Sequence, residues 1–169
     1  MKIFPKMSLR KVFEGYIFPP HDIALAKREK PTWGNMLIFG APDSGKTTLA
    51  LSIAREMEEY YGEDLVNTVV AFRFDDALKH VDDKPIQVLI IDDAPKEQFA
   101  KSRSLREMEN IIHFLRIRHE IARVNPNCRF VVPIFTTQDL HLLDRAFRNP
   151  MVTVFSILNK KIESILFYS

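Results

Sequence analysis

Gly40-Ala41-Pro42-Asp43-Ser44-Gly45-Lys46-Thr47 reads G-x-x-x-x-G-K-T, the spacing of a loop that wraps phosphate. The apolar run Met36-Leu37-Ile38-Phe39 precedes it, and a helix-compatible run from Thr48 to Tyr60 follows. That is the strand–loop–helix setting the motif requires. Gly40 and Gly45 allow a tight turn that presents backbone N–H groups to phosphate oxygens. The following helix aims its positive end at the same anion. Lys46 is expected to reach the β- and γ-phosphates, and the Thr47 hydroxyl to ligand Mg²⁺. The whole stretch from Gly40 through Thr48 is read as the nucleotide cradle.

A second stretch supports the first. Val88-Leu89-Ile90-Ile91-Asp92-Asp93 is four apolar residues ending in two carboxylates, which suits a short buried parallel strand. A strand does not bury its carboxylates, so they belong at its C-terminal end, where open α/β sheets place the ligand crevice. Asp92 is then expected to hold the Mg²⁺ that Thr47 contacts, directly or through water. Asp93 is expected to orient and deprotonate the attacking water.

Composition sets the limits. The 169 residues suffice for one domain with a substantial core, and an apolar fraction of 46% is that of an ordinary globular protein. One cysteine, Cys128, rules out an internal disulfide and gives no metal cluster. A reducing, cytoplasmic setting fits. No apolar run approaches the ~20 residues of a membrane helix. Charge is segregated: residues 31–95 hold five Lys/Arg against twelve Asp/Glu, whereas residues 96–129 hold eight against four. Basic charge away from the phosphate motifs permits an anionic partner at a separate face, and equally fits a solvated basic helix.

Along the chain, residues 1–34 are broken by Pro5, Pro19, Pro20 and Pro31 and are read as an N-terminal extension packing on a 35–169 core domain. Trp33 is placed either to stack on a base or to serve as a core or hinge aromatic. Strands are expected at Asn35–Phe39, Thr68–Phe72, Val88–Asp93 and Phe130–Phe135. Helices are expected at Thr48–Tyr60, from Asp75 or Asp76 to Val81, Leu105–Val124 and Asp139–Phe147. The first of these puts Leu49, Ile53, Met57 and Tyr60 on one stripe, with Arg55, Glu56, Glu58 and Glu59 outward. Pro133 conflicts with a central strand, which wants its N–H, so a bulge or an unpaired stretch must absorb it. Met151–Leu158 and Ile162–Tyr168 flank Asn159-Lys160-Lys161 as a closing β-hairpin. The alternation predicts an α/β three-layer sandwich with a mainly parallel sheet. If the Phe130 strand lies between the two motif strands, its polar end falls beside the γ-phosphate.

The two motifs look like the Walker A and Walker B motifs of P-loop NTPases. With R-F-V-V-P-I-F-T-T-Q at Arg129–Gln138 and L-L-D-R-A-F-R-N at Leu142–Asn149, the chain resembles ASCE (RecA-like) ATPases, and within them the FtsK/HerA-like pumps of DNA translocation and viral genome packaging. That resemblance implies ATP and Mg²⁺ as ligands and a homo-oligomeric ring; the small size of such a pump fits a virus or mobile element as source. It makes Gln138 the γ-phosphate sensor and Arg129 an arginine offered to the neighbouring subunit's nucleotide, with Arg145 and Arg148 as rival fingers. Asp93 stands where the family usually has Glu. On this reading Lys46, Asp93, Gln138 and Arg129 carry the catalysis. Lys96, Lys101, Arg103 and Arg106, in a basic stretch after the aspartates, contact DNA phosphates. An AAA+-like loader or regulator of a partner protein is the alternative, followed by a small-molecule or nucleotide kinase.

Overall fold

The computed structural model describes residues 20–27, 32–33, 35–92, 117–138, 152–158 and 161–165. A short helix, α1 (His21–Ala24), leads to strands β1 (Thr32–Trp33) and β2 (Asn35–Gly40) and to helix α2 (Lys46–Tyr61). Strand β3 (Val66–Ala71), helix α3 (Phe74–Leu78) and strand β4 (Ile86–Ile91) follow. Residues 117–124 are helical (α4) and lead to β5 (Phe130–Thr137), β6 (Val152–Leu158) and β7 (Lys161–Ile165).

The described strands form one seven-stranded sheet in the order β3-β4-β5-β2-β6-β7, with β1 also paired to β5. All neighbours run parallel except β6 and β7, the closing hairpin. Leu158 pairs with Lys161, so Lys161, expected in the turn, belongs to the second strand. Strand β5 lies between β2 and β4, the two strands that carry the phosphate motifs.

Period-two alternation sorts side chains to the two faces. Met36 and Ile38, Val88 and Ile90, and Val132 and Ile134 pack against Leu49, Ile53 and Met57 of α2. Leu37, Leu89, Ile91, Val131 and Phe135 pack on the other face with Phe74 and Ala77 of α3 and Ile117 and Ile121 of α4. Helix, sheet and helix make the three layers expected. Of the helix expected at Leu105–Val124, the described part buries Ile117 and Ile121 and exposes Val124. Its residues 105–116 lie outside the described residues, as does the Asp139–Phe147 helix.

Two readings of α2 are corrected. Tyr61, not Tyr60, is the buried ring at its end, and Glu56, expected outward, is buried. The apolar face of α2 is wide enough to cover Glu56 as well. Gly62, at φ 102° and ψ 140°, ends the helix in a positive-φ conformation that glycine adopts without a Cβ clash.

Pro133 is accommodated without a bulge. Thr32↔Phe130 and Met36↔Ile134 stand in the same register, so β1 and β2 are one line of chain beside β5. Pro133 pairs with Leu89 of β4 and, among the described residues, has no ladder partner on the β1–β2 side. The missing N–H coincides with that gap.

The opposite end of the sheet is pinned by a buried polar network. Gln87, fully buried, donates from Nε2 to Asp82 Oδ1 at 2.8 Å and Lys84 O at 2.9 Å. Its Oε1 accepts from Asn67 Nδ2 at 2.8 Å. Asn125 Nδ2 donates to Lys84 O, and Pro85 O accepts from the backbone N–H groups of Arg129 and Phe130. Gln87 thus ties the loop before β4 to β3, and Asn125 and Pro85 tie the same loop to the start of β5. Gln87→Ala leaves a void and removes the hydrogen bonds to Asp82, Lys84 and Asn67, and is expected to cost about 2–4 kcal/mol. At roughly 2–4 °C per kcal/mol for a domain this size, the melting temperature should fall by about 5–15 °C; an unchanged melt would show the network to be incidental. Cys128 is buried beside this region, and burial pushes its thiol up to about 12, which makes it the inert apolar residue expected.

Candidate functional site

Strands β2, β4 and β5 end at one edge of the sheet, and α2 begins there. The loop between β2 and α2 owes its shape to three residues. Gly45 has φ 101° and is the N-cap of α2; Asp43 has φ 60°. Two left-handed residues bracketing Ser44 curl successive N–H groups into a concave nest, and Asp is one of the few non-glycine residues that tolerates that region. Gly40 differs from expectation: it is the last residue of β2 rather than part of the turn. Its requirement is space, since a Cβ there would run into Ser44 Oγ.

Helix α2 begins at Lys46, two residues earlier than expected, so Lys46, Thr47 and Thr48 occupy its first turn. No side chain caps that end, which leaves the orphan N–H groups of the first turn for a ligand. Ala41, Pro42, Asp43 and Thr48 are exposed, and Ser44, Gly45 and Thr47 half-buried. Lys46 is only 6% exposed, and its Nζ donates to Ala41 O at 2.8 Å, the ammonium's sole hydrogen bond among the described residues. Ser44 Oγ is buried with no hydrogen-bond partner among the described residues. A buried cation on one neutral carbonyl, beside an orphaned hydroxyl, is under-solvated in a way that an anion remedies. The loop therefore fits phosphate.

Across the sheet edge stands Asp92, whose backbone N donates to Ala71 O at 2.8 Å and so carries the β3–β4 pairing one step past Ile91. Its Oδ1 accepts from Thr47 Oγ1 at 2.8 Å and from Thr136 Oγ1 at 2.7 Å. The two phosphate motifs, 45 residues apart in the chain at this contact, are joined side chain to side chain. A hydroxyl has one proton. Thr47 commits its proton to Asp92, so its lone pairs remain for a hard cation. An oxygen pair of this kind, beside a phosphate cradle, suits Mg²⁺.

Sequence alone assigns no role to Thr136; the family resemblance points instead to Gln138, which is exposed just past the end of β5, as the strand's terminal polar residue. The available signal was the alternation Ile134, Thr136, Gln138, which sets Thr136 on the α2 face of a strand buried along its whole length.

Other expected residues do not gather here. Arg129 precedes β5 at the opposite edge of the sheet, where its Nη1 donates to Pro126 O at 3.4 Å. Its nine-residue separation from Gln138, at ~3.3 Å per strand residue, puts it roughly 30 Å away. The Trp33 backbone is level with Val131, roughly 20 Å from the loop by the same measure, so a base bound there is out of line with it. Asp93, Lys96, Lys101, Arg103, Arg106, Arg145 and Arg148 lie outside the described residues.

Residues 23–152 match the family described as novel STAND NTPase 3. The chain belongs to that family. The match covers both phosphate motifs and all of β5. The resemblance to P-loop NTPases thus holds for the class, and the family within it is a STAND NTPase family rather than that of the FtsK/HerA-like pumps. Membership brings nucleotide hydrolysis in general terms to this novel STAND NTPase 3 chain. None of the curated proteins matches it. Among the described residues no helix is long and apolar enough to cross a membrane.

Proposed function

We propose that this chain binds ATP with Mg²⁺ at the edge where β2, β4 and β5 end, and hydrolyses it. The carrying observation is the hydrogen-bonded set Thr47–Asp92–Thr136 beside the Lys46 loop. Mg²⁺, when bound, offsets charge on the β- and γ-phosphate oxygens. The first-turn N–H groups of α2 hold the phosphates. Lys46 exchanges its bond to Ala41 O for one to a phosphate oxygen, where its charge counters that developing during transfer. Thr47 presents lone pairs to the cation while Asp92 holds its proton. Gln138 senses the γ-phosphate, and Asp93 orients the attacking water and accepts its proton. The water oxygen bonds to the γ-phosphorus as the bond to the bridging oxygen breaks, and ADP leaves with that electron pair.

For the output of hydrolysis we propose a ring of subunits that moves DNA. Two features support it: basic charge is segregated in residues 96–129, and Arg129 stands at the far edge of the sheet, remote from its own site, as an arginine that serves a neighbour's site must be. Lys96, Lys101, Arg103 and Arg106 then contact DNA phosphates. The second reading, an ATP-dependent loader or regulator of a protein partner, is favoured by the STAND family match.

ATP turnover measured with and without double-stranded DNA, beside sedimentation of the same samples, separates the two. The motor reading expects an oligomer whose Mg²⁺-dependent turnover rises with DNA and falls as salt screens phosphate contacts. A monomer, or turnover indifferent to DNA, removes the motor and leaves the regulator. Absence of turnover under every condition removes hydrolysis itself.

A further inference from the structure

We propose that Thr136 is a positioning residue for the metal side of this site, acting through Asp92; the assignment rests on the Mg²⁺–ATP reading above. Thr136 is fully buried, and its Oγ1 donates to Asp92 Oδ1 at 2.7 Å, while Thr47 donates to the same oxygen at 2.8 Å. An ionised carboxylate only accepts, so both hydroxyl protons are committed to Oδ1. That oxygen's two lone pairs are thereby used, and Oδ2 is the oxygen left to face a cation or its water.

The two donors are not equivalent. Thr47 is half-buried at the start of α2, beside the loop that must receive the nucleotide. Thr136 sits in β5, a strand paired on both sides and covered on both faces. The carboxylate torsion of an aspartate is broad and roughly two-fold, so a carboxylate held by Thr47 alone turns with the loop. The bond from the sheet fixes which oxygen meets Thr47 and which meets the cation before any ligand arrives. Groups that orient a metal ligand in this way typically contribute about 10–100-fold in metal affinity or activity.

The experiment is binding of the fluorescent analogue mant-ATP to the full chain, titrated with Mg²⁺ and repeated in EDTA, for wild type, Thr136→Val and Thr136→Ser. Valine keeps the branched shape and removes the hydroxyl; serine keeps the hydroxyl. We expect the half-saturating Mg²⁺ concentration to rise about 10–100-fold in T136V and to stay within about 3-fold of wild type in T136S. Affinity in EDTA should stay unchanged in both. An unshifted Mg²⁺ titration in T136V overturns the assignment. So does T136S failing as T136V does, which would make the residue's bulk the cause, and so does equal loss of binding in EDTA, which would make it a general structural effect. Wild-type protein that binds mant-ATP no better with Mg²⁺ than in EDTA overturns the Mg²⁺–ATP reading, and this assignment with it.

Discussion

Lys46→Ala should lower ATP turnover by at least about 10²–10³-fold, the usual cost of deleting one donor that meets charge developing in a transition state. The effect is expected to be large because this ammonium has little else to do. It is 6% exposed and bonded to a single loop carbonyl, so its burial is an electrostatic cost that only a phosphate offsets. For the same reason folding stability should change by no more than about 1 kcal/mol, since alanine removes an under-solvated charge and propagates a helix well. Lys46→Arg is not a rescue: the guanidinium is larger and its planar fork does not replace a compact point charge in a closed loop. Single-turnover hydrolysis and a thermal melt on the same protein check both halves. Turnover within a few-fold of wild type would remove the loop as the reacting site.

Asp92→Asn is expected to raise the Mg²⁺ requirement about 10–100-fold and to lower turnover with it. The substitution preserves shape and keeps an amide oxygen to accept from Thr47 and Thr136, so the sheet edge stays assembled. What disappears is the negative charge that makes the oxygen pair a hard-cation site. Asp92→Ala tests the complementary point. It removes the carboxylate that accepts from the buried Thr136 hydroxyl, a further cost of about 1–3 kcal/mol, so D92A should melt below D92N while both lose the metal response. Calorimetric Mg²⁺ titration in the presence of ADP, beside melting curves, reads the two effects separately. An asparagine variant with wild-type Mg²⁺ dependence would mean that Asp92 serves architecture alone.

Much of the fold was readable because its signals are local. Apolar residues at strand or helix period around the Gly40–Thr47 loop placed β2, α2, β4 and β5 within a few residues of where they lie. The errors came where burial depends on neighbours. Glu56 is polar yet covered, because the α2 face against the sheet is broad. Gly40 seemed a turn residue, and its need proved to be room for Ser44 Oγ. Of the two ways open to Pro133, a bulge or an unpaired stretch, the fold takes the second: β5 keeps its register on β4 and the gap lies on the β1–β2 side.

Order of strands belongs to a different level. Local pattern names a strand but does not say which strand lies beside it, because pairing is decided by which crossovers close and which faces bury. So the chain by itself determined that a phosphate loop, a hydroxyl for a cation and a strand-end carboxylate are present, since each is written in a few consecutive residues. Only the folded sheet decided that β5 passes between the motif strands. That placement brings Thr136 onto Asp92 across 44 residues of sequence and sends Arg129 to the opposite edge.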